Sequence, residues 1–333
     1  MTANREIHLK SHVAAEPAES DFALAETALP DLGEGQVLVR NTWMSVDPYM
    51  RGRMRADSHP APAYALGEVL DGPAVGEVVA SRSEAVPVGA SVFHFKGWRE
   101  HAVLDAAEAV VVDTGLAPQE AYLGPLGTTG LTAYATLTKV VPVREGDTVF
   151  VSAAAGAVGS IAGQLARRLG AARVIGSAGG PEKAKKLVEE FGFDAGIDYR
   201  AGSLPEALRE AAPEGIDLYF DNVGGDHLEA GIGALREGGR VAMVGAVSGY
   251  NRATPAPGPA NLFHLASVNG SLHGMRVDSY FHLHGEWIAT AAPWLADGTL
   301  RAAATVVEGL ELAPRAFIDL LRGANTGKML VKL

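Results

Sequence analysis

From Thr148 to Lys183 the chain runs through an apolar strand, a turn of small residues, a helix and a second apolar strand. The first strand is Thr148-Val149-Phe150-Val151-Ser152. The turn is Ala153 to Gly159 (AAAGAVG), and the second strand is Arg173-Val174-Ile175-Gly176. Strand–helix alternation of this kind implies a parallel sheet covered by helices. A strand entering a glycine turn that opens a helix can also seat a pyrophosphate. Small side chains let the backbone come close, and the helix N-terminus offers N–H groups and partial positive charge. Taken alone the turn is weak: Ala154 replaces the first glycine of G-x-G-x-x-G, and small residues also suit an ordinary strand–helix junction. The end of the second strand is more informative. Ser177-Ala178-Gly179-Gly180 occupies the place where an NAD-binding unit carries Asp or Glu for the ribose hydroxyls, and the basic Lys183 follows. The segment therefore points to a dinucleotide, and to its phosphorylated form, NADP.

A length of 333 residues suggests two domains at roughly 150 residues each. The chain is acidic, net −11 from 28 basic and 39 acidic side chains. That argues against a nucleic-acid surface and favours a soluble protein with local basic sites. No apolar run reaches the length of about 18 residues that suggests a membrane span. Met1-Thr2-Ala3-Asn4-Arg5-Glu6 lacks an apolar signal core, so a cytoplasmic protein is expected. The sequence contains no cysteine, which excludes disulfides, a cysteine nucleophile and thiolate metal ligands. Histidines and carboxylates could still hold zinc. The histidine-richest stretch, Phe281-His282-Leu283-His284, sets alternate residues on different helix faces; His264 and His273 lie nearby in sequence. No metal is expected.

Residues 1–120 carry strand-like runs broken by Gly and Pro, such as Gln36–Arg40, Gly76–Ala80 and Ala109–Val112, and read as a compact β-rich domain. From about residue 124 strands and helices alternate. A helix is expected over Pro181–Phe191, a strand near Ala195–Tyr199, a helix over Leu204–Ala211 and a strand over Ile216–Phe220. A helix from Asp226 and a strand over Arg240–Val244 complete a doubly wound nucleotide fold. Asn251 to Pro259, rich in Pro and Gly, reads equally as a lid or a surface connection. Residues 300–333 return to mixed strand and helix. The expected division is 1–123 with 300–333, and 124–299.

This order of domains resembles the medium-chain dehydrogenase/reductase superfamily. Ser45-Val46-Asp47-Pro48-Tyr49-Met50-Arg51-Gly52-Arg53-Met54 resembles the signature of its zinc-independent branch, which contains prostaglandin reductases, leukotriene dehydrogenases and alkenal or enone double-bond reductases. Pro125-Leu126-Gly127, Gly130-Leu131-Thr132-Ala133-Tyr134, Phe220-Asp221-Asn222-Val223-Gly224-Gly225, Tyr250-Asn251-Arg252 and Gly327-Lys328 extend the resemblance over nearly the whole chain. It implies an α/β protein: a β-rich GroES-like catalytic domain and a Rossmann domain, with NADP held in the cleft between them.

By motif match, the resemblance implies that Gly156, Ala157, Val158, Gly159 and Ser160 hold the pyrophosphate. Lys183 and Tyr199 would border the ribose 2′-phosphate, although Lys183, Lys185 and Lys186 could also form a solvated helix face. Asn222 would lie near the cofactor ribose. Val244, Gly245, Ala246, Val247, Ser248, Gly249 and Tyr250 would line the nicotinamide side, with Met275, Arg276 and Val277 as a further contact segment. Arg276 stands where an apolar residue is expected, and it could project outward. Thr128 stands where the family often has Met, and is expected to face the cofactor. Asn325 aligns with a late cofactor-side asparagine, or is simply a turn residue.

The implied reaction is reduction of a carbon–carbon double bond conjugated to a carbonyl, with hydride from NADPH reaching the β carbon. Charge then develops on the carbonyl oxygen, which calls for a preorganised donor, and a proton must reach the α carbon. Tyr250 is the first candidate donor and Tyr49 the second, since a tyrosine donates at neutral pH without a shifted pKa. Either could instead only pack a pocket wall, and water could supply the proton. Asp47, Arg51 and Arg53 are expected to fix their loop by an ion pair. A quinone reductase, an alcohol dehydrogenase and a non-catalytic NADPH-binding redox sensor remain as alternatives. The resemblance and an apolar strand late in the nucleotide domain suggest a homodimer formed by sheet continuation.

Overall fold

Val149, Phe150 and Val151 are fully buried, as expected of a central strand covered on both faces. The computed structural model describes residues 3–254 and 257–333. Pro255 and Ala256, within the segment read as either a lid or a surface connection, lie outside the described residues. The chain divides into two units: residues 1–124, 250–253 and 304–333 form one, and residues 125–249 and 254–303 the other.

The second unit is built on six parallel strands. Their order is Ala195–Asp198, Arg173–Ala178, Thr148–Val151, Ile216–Asp221, Leu235–Met243 and Ser271–Gly274. In chain order this is 3-2-1-4-5-6, the doubly wound arrangement. Helices Ala157–Arg168, Pro181–Glu189, Leu204–Ala211 and Gly225–Gly233 alternate with the strands. Two of them start for a clear local reason. Gly180, at φ +97°, turns the chain and Pro181 opens the helix. Ser203 accepts the Glu206 N–H and caps the next one. The core centres on Phe150 stacked on Tyr219, ring centroids 4.8 Å apart, with Ile175, Leu208, Ile216 and Val241 around them. Element boundaries shift from the sequence reading by a few residues. The second strand continues to Ala178, and the fifth begins at Leu235 rather than Arg240.

The first unit contains a seven-stranded sheet. Its path is Ala304–Glu308, Lys328–Lys332, Gln36–Ser45, Ala74–Ser81, Ser91–His94 and Val110–Val111, and His101–Asp105 also pairs with Gln36–Ser45. The expected strand Ala109–Val112 shrinks to two exposed valines on the sheet edge. Ala3–Leu9 and Phe22–Ala28 form a separate antiparallel pair. Trp98 anchors one core, stacked with Phe22 and edge-on to Phe317. Tyr250–Ala253, placed by the sequence reading in the nucleotide domain, belongs to this unit because Arg51 and Arg55 bond to Asn251 and Arg252.

His94 is buried in this sheet and fully bonded. Its Nδ1 accepts the Lys96 N–H at 3.0 Å, so Nε2 carries the proton and donates to Asn41 Oδ1 at 2.9 Å. Asn41 Nδ2 donates to the carbonyls of Lys96 and Arg99. Burial, then the charges of Arg99 and Lys96, lowers the His94 pKa from 6.5 to about 3. The unfolded chain takes up this proton near pH 6.5 and the folded chain only near pH 3. The contribution of neutral His94 is therefore complete above pH 6.5 and is lost as the pH falls towards 3, by about 1.4 kcal/mol per unit. Urea unfolding at pH 7.5 and 4.5 should show roughly 2–3 kcal/mol more acid destabilisation in the wild type than in His94→Gln.

Candidate active site

Strand Thr148–Val151 passes through Ser152 into a turn at Ala153, which adopts φ +47°. The helix begins after Gly156, and its first internal bond runs from the Ser160 N–H to the Gly156 carbonyl. The N–H groups of Ala157, Val158 and Gly159 therefore head the helix with no intrahelical acceptor. Gly159 has to be glycine: a Cβ there would lie 2.5 Å from the Ala153 carbonyl oxygen and 2.8 Å from Ala154 Cα. At Gly156 the corresponding contact is 3.1 Å. The helix start thus lies directly against the turn, an arrangement suited to anion binding.

The neighbouring strand, Ile216–Asp221, ends in a buried polar knot that sequence reasoning missed. Asp221 Oδ1 accepts from Tyr219 Oη at 2.6 Å, Val223 N at 2.9 Å, Gly224 N at 3.0 Å and Ser152 Oγ at 3.1 Å. Ser152, Tyr219 and Asp221 are all fully buried. Burial, then the charge of Asp221, raises the Tyr219 pKa well above 10, so the phenol remains a donor. Asn222 is fixed from the other side. Its backbone N–H donates to Ser152 Oγ at 2.9 Å and its amide to the Ser152 carbonyl at 2.8 Å. These bonds join strands 1 and 4, where the strand order reverses and ligands bind in such sheets.

Val244 to Gly249 is laced to the same corner. Val244 and Gly245 donate to the Asp221 carbonyl, Val247 to that of Asn222, and Ser248 to that of Val223 through both N–H and hydroxyl. Ala246 lies close as well, its Cβ 3.3 Å from where a Gly224 Cβ would be. Met275 follows the last strand and donates to the Met243 carbonyl. Arg276 does project outward: its side chain is 69% exposed and paired with Asp278. Val277 opens the next short helix. Thr128 is half-buried at the start of helix Thr128–Ala135. Two residues on, Gly130 lies so near the Pro125 carbonyl and Trp287 that its Cβ would overlap both.

A basic group surrounds Gly179. A Cβ on that residue would lie 2.9 Å from Arg200 Nε and 3.0 Å from Tyr199 Oη. Asp198 Oδ1 accepts the N–H groups of Gly180 and Arg200, which sets the distance between the two loops. Lys183 joins them: burial, then the charges of Arg200 and Lys186, lowers its pKa. The structure therefore sets Tyr199 and Arg200 beside Gly179, with Lys183 feeling the charge of Arg200, a residue that the motif match did not select.

In the first unit, Tyr49 precedes the helical turn Met50–Arg53. The residue is 45% exposed overall, yet desolvation and then Asp47 raise its hydroxyl pKa. Tyr250 is half-buried. The expected ion pair within Asp47, Arg51 and Arg53 does not form, because each finds another partner. Asp47 pairs with Lys328 and accepts from Ser45, Arg53 pairs with Asp71, and Arg51 bonds to Asn251 and the Ala15 carbonyl. Asn325 is 8% exposed and donates to the Gly327 carbonyl at 2.6 Å.

Residues 5–112 match the family described as the N-terminal domain of oxidoreductase, and residues 157–296 match that described as zinc-binding dehydrogenase. The chain belongs to the medium-chain dehydrogenase/reductase superfamily, in its zinc-independent branch. Bovine (Bos taurus) prostaglandin reductase 1 is 40% identical, with 97% of each chain covered. The NADP(+)-dependent 2-alkenal reductase of Nicotiana tabacum is 36% identical over 99% of this chain and 97% of its own. The crystal structure of CurA in complex with NADPH from Vibrio vulnificus superposes with a TM-score of 0.93 at 37% identity, covering 98% of both chains. Zinc does not fit the residues present. There is no cysteine, and among the described residues no group of three or more His, Asp or Glu could hold a metal ion. No described helix is long and apolar enough to cross a membrane.

Proposed function

We propose that this chain is an NADPH-dependent reductase of carbon–carbon double bonds conjugated to a ketone or aldehyde. The observation that carries the reading is its full-length likeness to prostaglandin reductase 1 and 2-alkenal reductase. The chain is an oxidoreductase and its cofactor is NADP. The close-packed turn at Gly159 and the basic group around Gly179 suit the phosphates of that cofactor. When bound, NADPH supplies the hydride for the β carbon.

Ala157, Val158 and Gly159 receive the pyrophosphate with backbone N–H groups, and Gly156 and Ser160 flank them. Lys183, Tyr199 and Arg200 take the 2′-phosphate, since no acidic side chain stands at Ser177–Gly180 to repel it. Asn222 meets the ribose. Residues 244–250, 275–277, Thr128 and Asn325 border the nicotinamide end, with Arg276 contributing backbone only. Tyr250, assisted by Tyr49, donates a hydrogen bond to the substrate oxygen as charge develops there. The protein works in the cytoplasm. It forms a homodimer by sheet continuation through edge strand Ser271–Gly274, where Leu272 is 37% exposed. Sedimentation finding only monomer would refute the dimer.

NADPH consumption with a panel of enones, quinones and aldehydes tests the reaction. Turnover of enones supports it, turnover of quinones alone rejects it, and tight binding without turnover favours the sensor. Lys183→Ala should weaken NADPH at least tenfold and leave NADH within about twofold, because one cation near a phosphate contributes roughly 1–3 kcal/mol. Titration with both cofactors measures this, and equal losses would remove Lys183 from the phosphate site.

A further inference from the structure

Arg51 is fully buried and sits in the helical turn two residues after Tyr49. Its Nε donates to Asn251 Oδ1 at 3.2 Å, one residue after Tyr250. Its Nη2 donates to the Ala15 carbonyl, and its Nη1 has no partner among the described residues. Burial lowers its pKa. A buried guanidinium that bonds to neutral acceptors and leaves one nitrogen unpaired is costly for the fold. An apolar side chain would fill that space at less cost, so the cation is retained for what it holds. It holds the two backbone segments that carry the two candidate tyrosines.

We infer that Arg51 is a positioning residue that, through Asn251, fixes Tyr250 relative to Tyr49. The inference deepens the reading above and rests on Tyr250 acting at the substrate oxygen. Chain connectivity alone does not set this geometry, since Arg51 and Asn251 lie 200 residues apart in the chain. The bond from Nε to the Asn251 amide oxygen does so within one or two residues of each. Arg55 adds a weaker tie, Nη1 to the Arg252 carbonyl at 3.4 Å. Small displacements matter here, because an error of about 1 Å in a donor can cost up to a hundredfold in rate.

Asn251→Ala is the test, because it removes the clamp and leaves the Arg51–Ala15 bond, and hence the fold, in place. Expected with an enone is a fall in kcat of about ten- to a hundredfold, with KM for NADPH within about twofold and a melting temperature lowered by only a few degrees, the cost of the one orphaned Nε donor. Asn251→Asp keeps an acceptor for the guanidinium and should restore kcat to within a few-fold. In a Tyr250→Phe background, Asn251→Ala should add less than about twofold, since both changes remove one unit. Full kcat in Asn251→Ala, no rescue by Asp, or additive losses in the double variant would each overturn the clamp while leaving the role of Tyr250 intact. A silent Tyr250→Phe would instead overturn the catalytic reading, and the clamp with it.

Discussion

Gly159→Val should lose NADPH affinity by about a hundredfold or more while the first unit keeps its structure. The expectation follows from what a Cβ meets: the Ala153 carbonyl oxygen at 2.5 Å and Ala154 Cα at 2.8 Å, both backbone atoms that cannot swing aside. Either the helix start retreats or the turn opens, and both move the N–H groups of Ala157, Val158 and Gly159 off a bound pyrophosphate. Overpacking of this kind also costs about 1–3 kcal/mol of stability. Gly156→Ala is the control. Its contact, 3.1 Å to one oxygen, can be relieved by a shift of a few tenths of an ångström, so its loss should stay below about tenfold. Fluorescence titration with NADPH and thermal melts measure both. Near-native affinity in Gly159→Val would mean that the cofactor does not need the close-packed turn.

Asp221→Ala should be the most destabilising single change in the second unit. It removes the acceptor for two fully buried hydroxyls, Tyr219 and Ser152, and for the N–H groups of Val223 and Gly224. Each buried donor left unpaired costs about 1–3 kcal/mol, so a total of about 4 kcal/mol or more is expected, a drop of roughly 10 °C in melting temperature. Asp221→Asn keeps an acceptor oxygen and should lose clearly less. NADPH binding should fall in step in the alanine variant, because Asn222 and the 244–249 segment are tied to the same corner. Differential scanning calorimetry with and without NADPH separates the two effects. A loss below about 1 kcal/mol would show that water satisfies the knot.

The nucleotide fold was legible because its signals are local. The strand, the glycine turn and the alternating helices each declare themselves within a dozen residues, and helix Leu204–Ala211 begins and ends as the pattern predicts. The polar knot was not legible, because its bonds join residue 152 to residues 221 and 222 and no spacing rule links them. A signal was present in the Asp221-Asn222 pair at a strand end, but only Asn222 was selected. Arg200 was overlooked because sequence gave no reason to fold its loop back over Gly179. The charged signature motif was misread for a related reason. Asp47, Arg51 and Arg53 are neighbours in sequence, yet their partners lie at Lys328, Asn251 and Asp71. Arg276 was doubted because it stands where the resemblance expects an apolar residue, and its side chain projects outward to pair with Asp278.

The placement of strand Lys328–Lys332 inside the first sheet, between Ala304–Glu308 and Gln36–Ser45, makes the pairing of that sheet highly non-local, and non-local pairing is slow. Every strand of the six-stranded sheet lies between Thr148 and Gly274, so that sheet pairs over shorter stretches of chain. The sheet of the first unit must wait, with Trp43, Met44 and Ser45 lacking their partners on that side, until Lys328–Lys332 pairs there. Until then its signature motif lacks Lys328, the partner that neutralises Asp47.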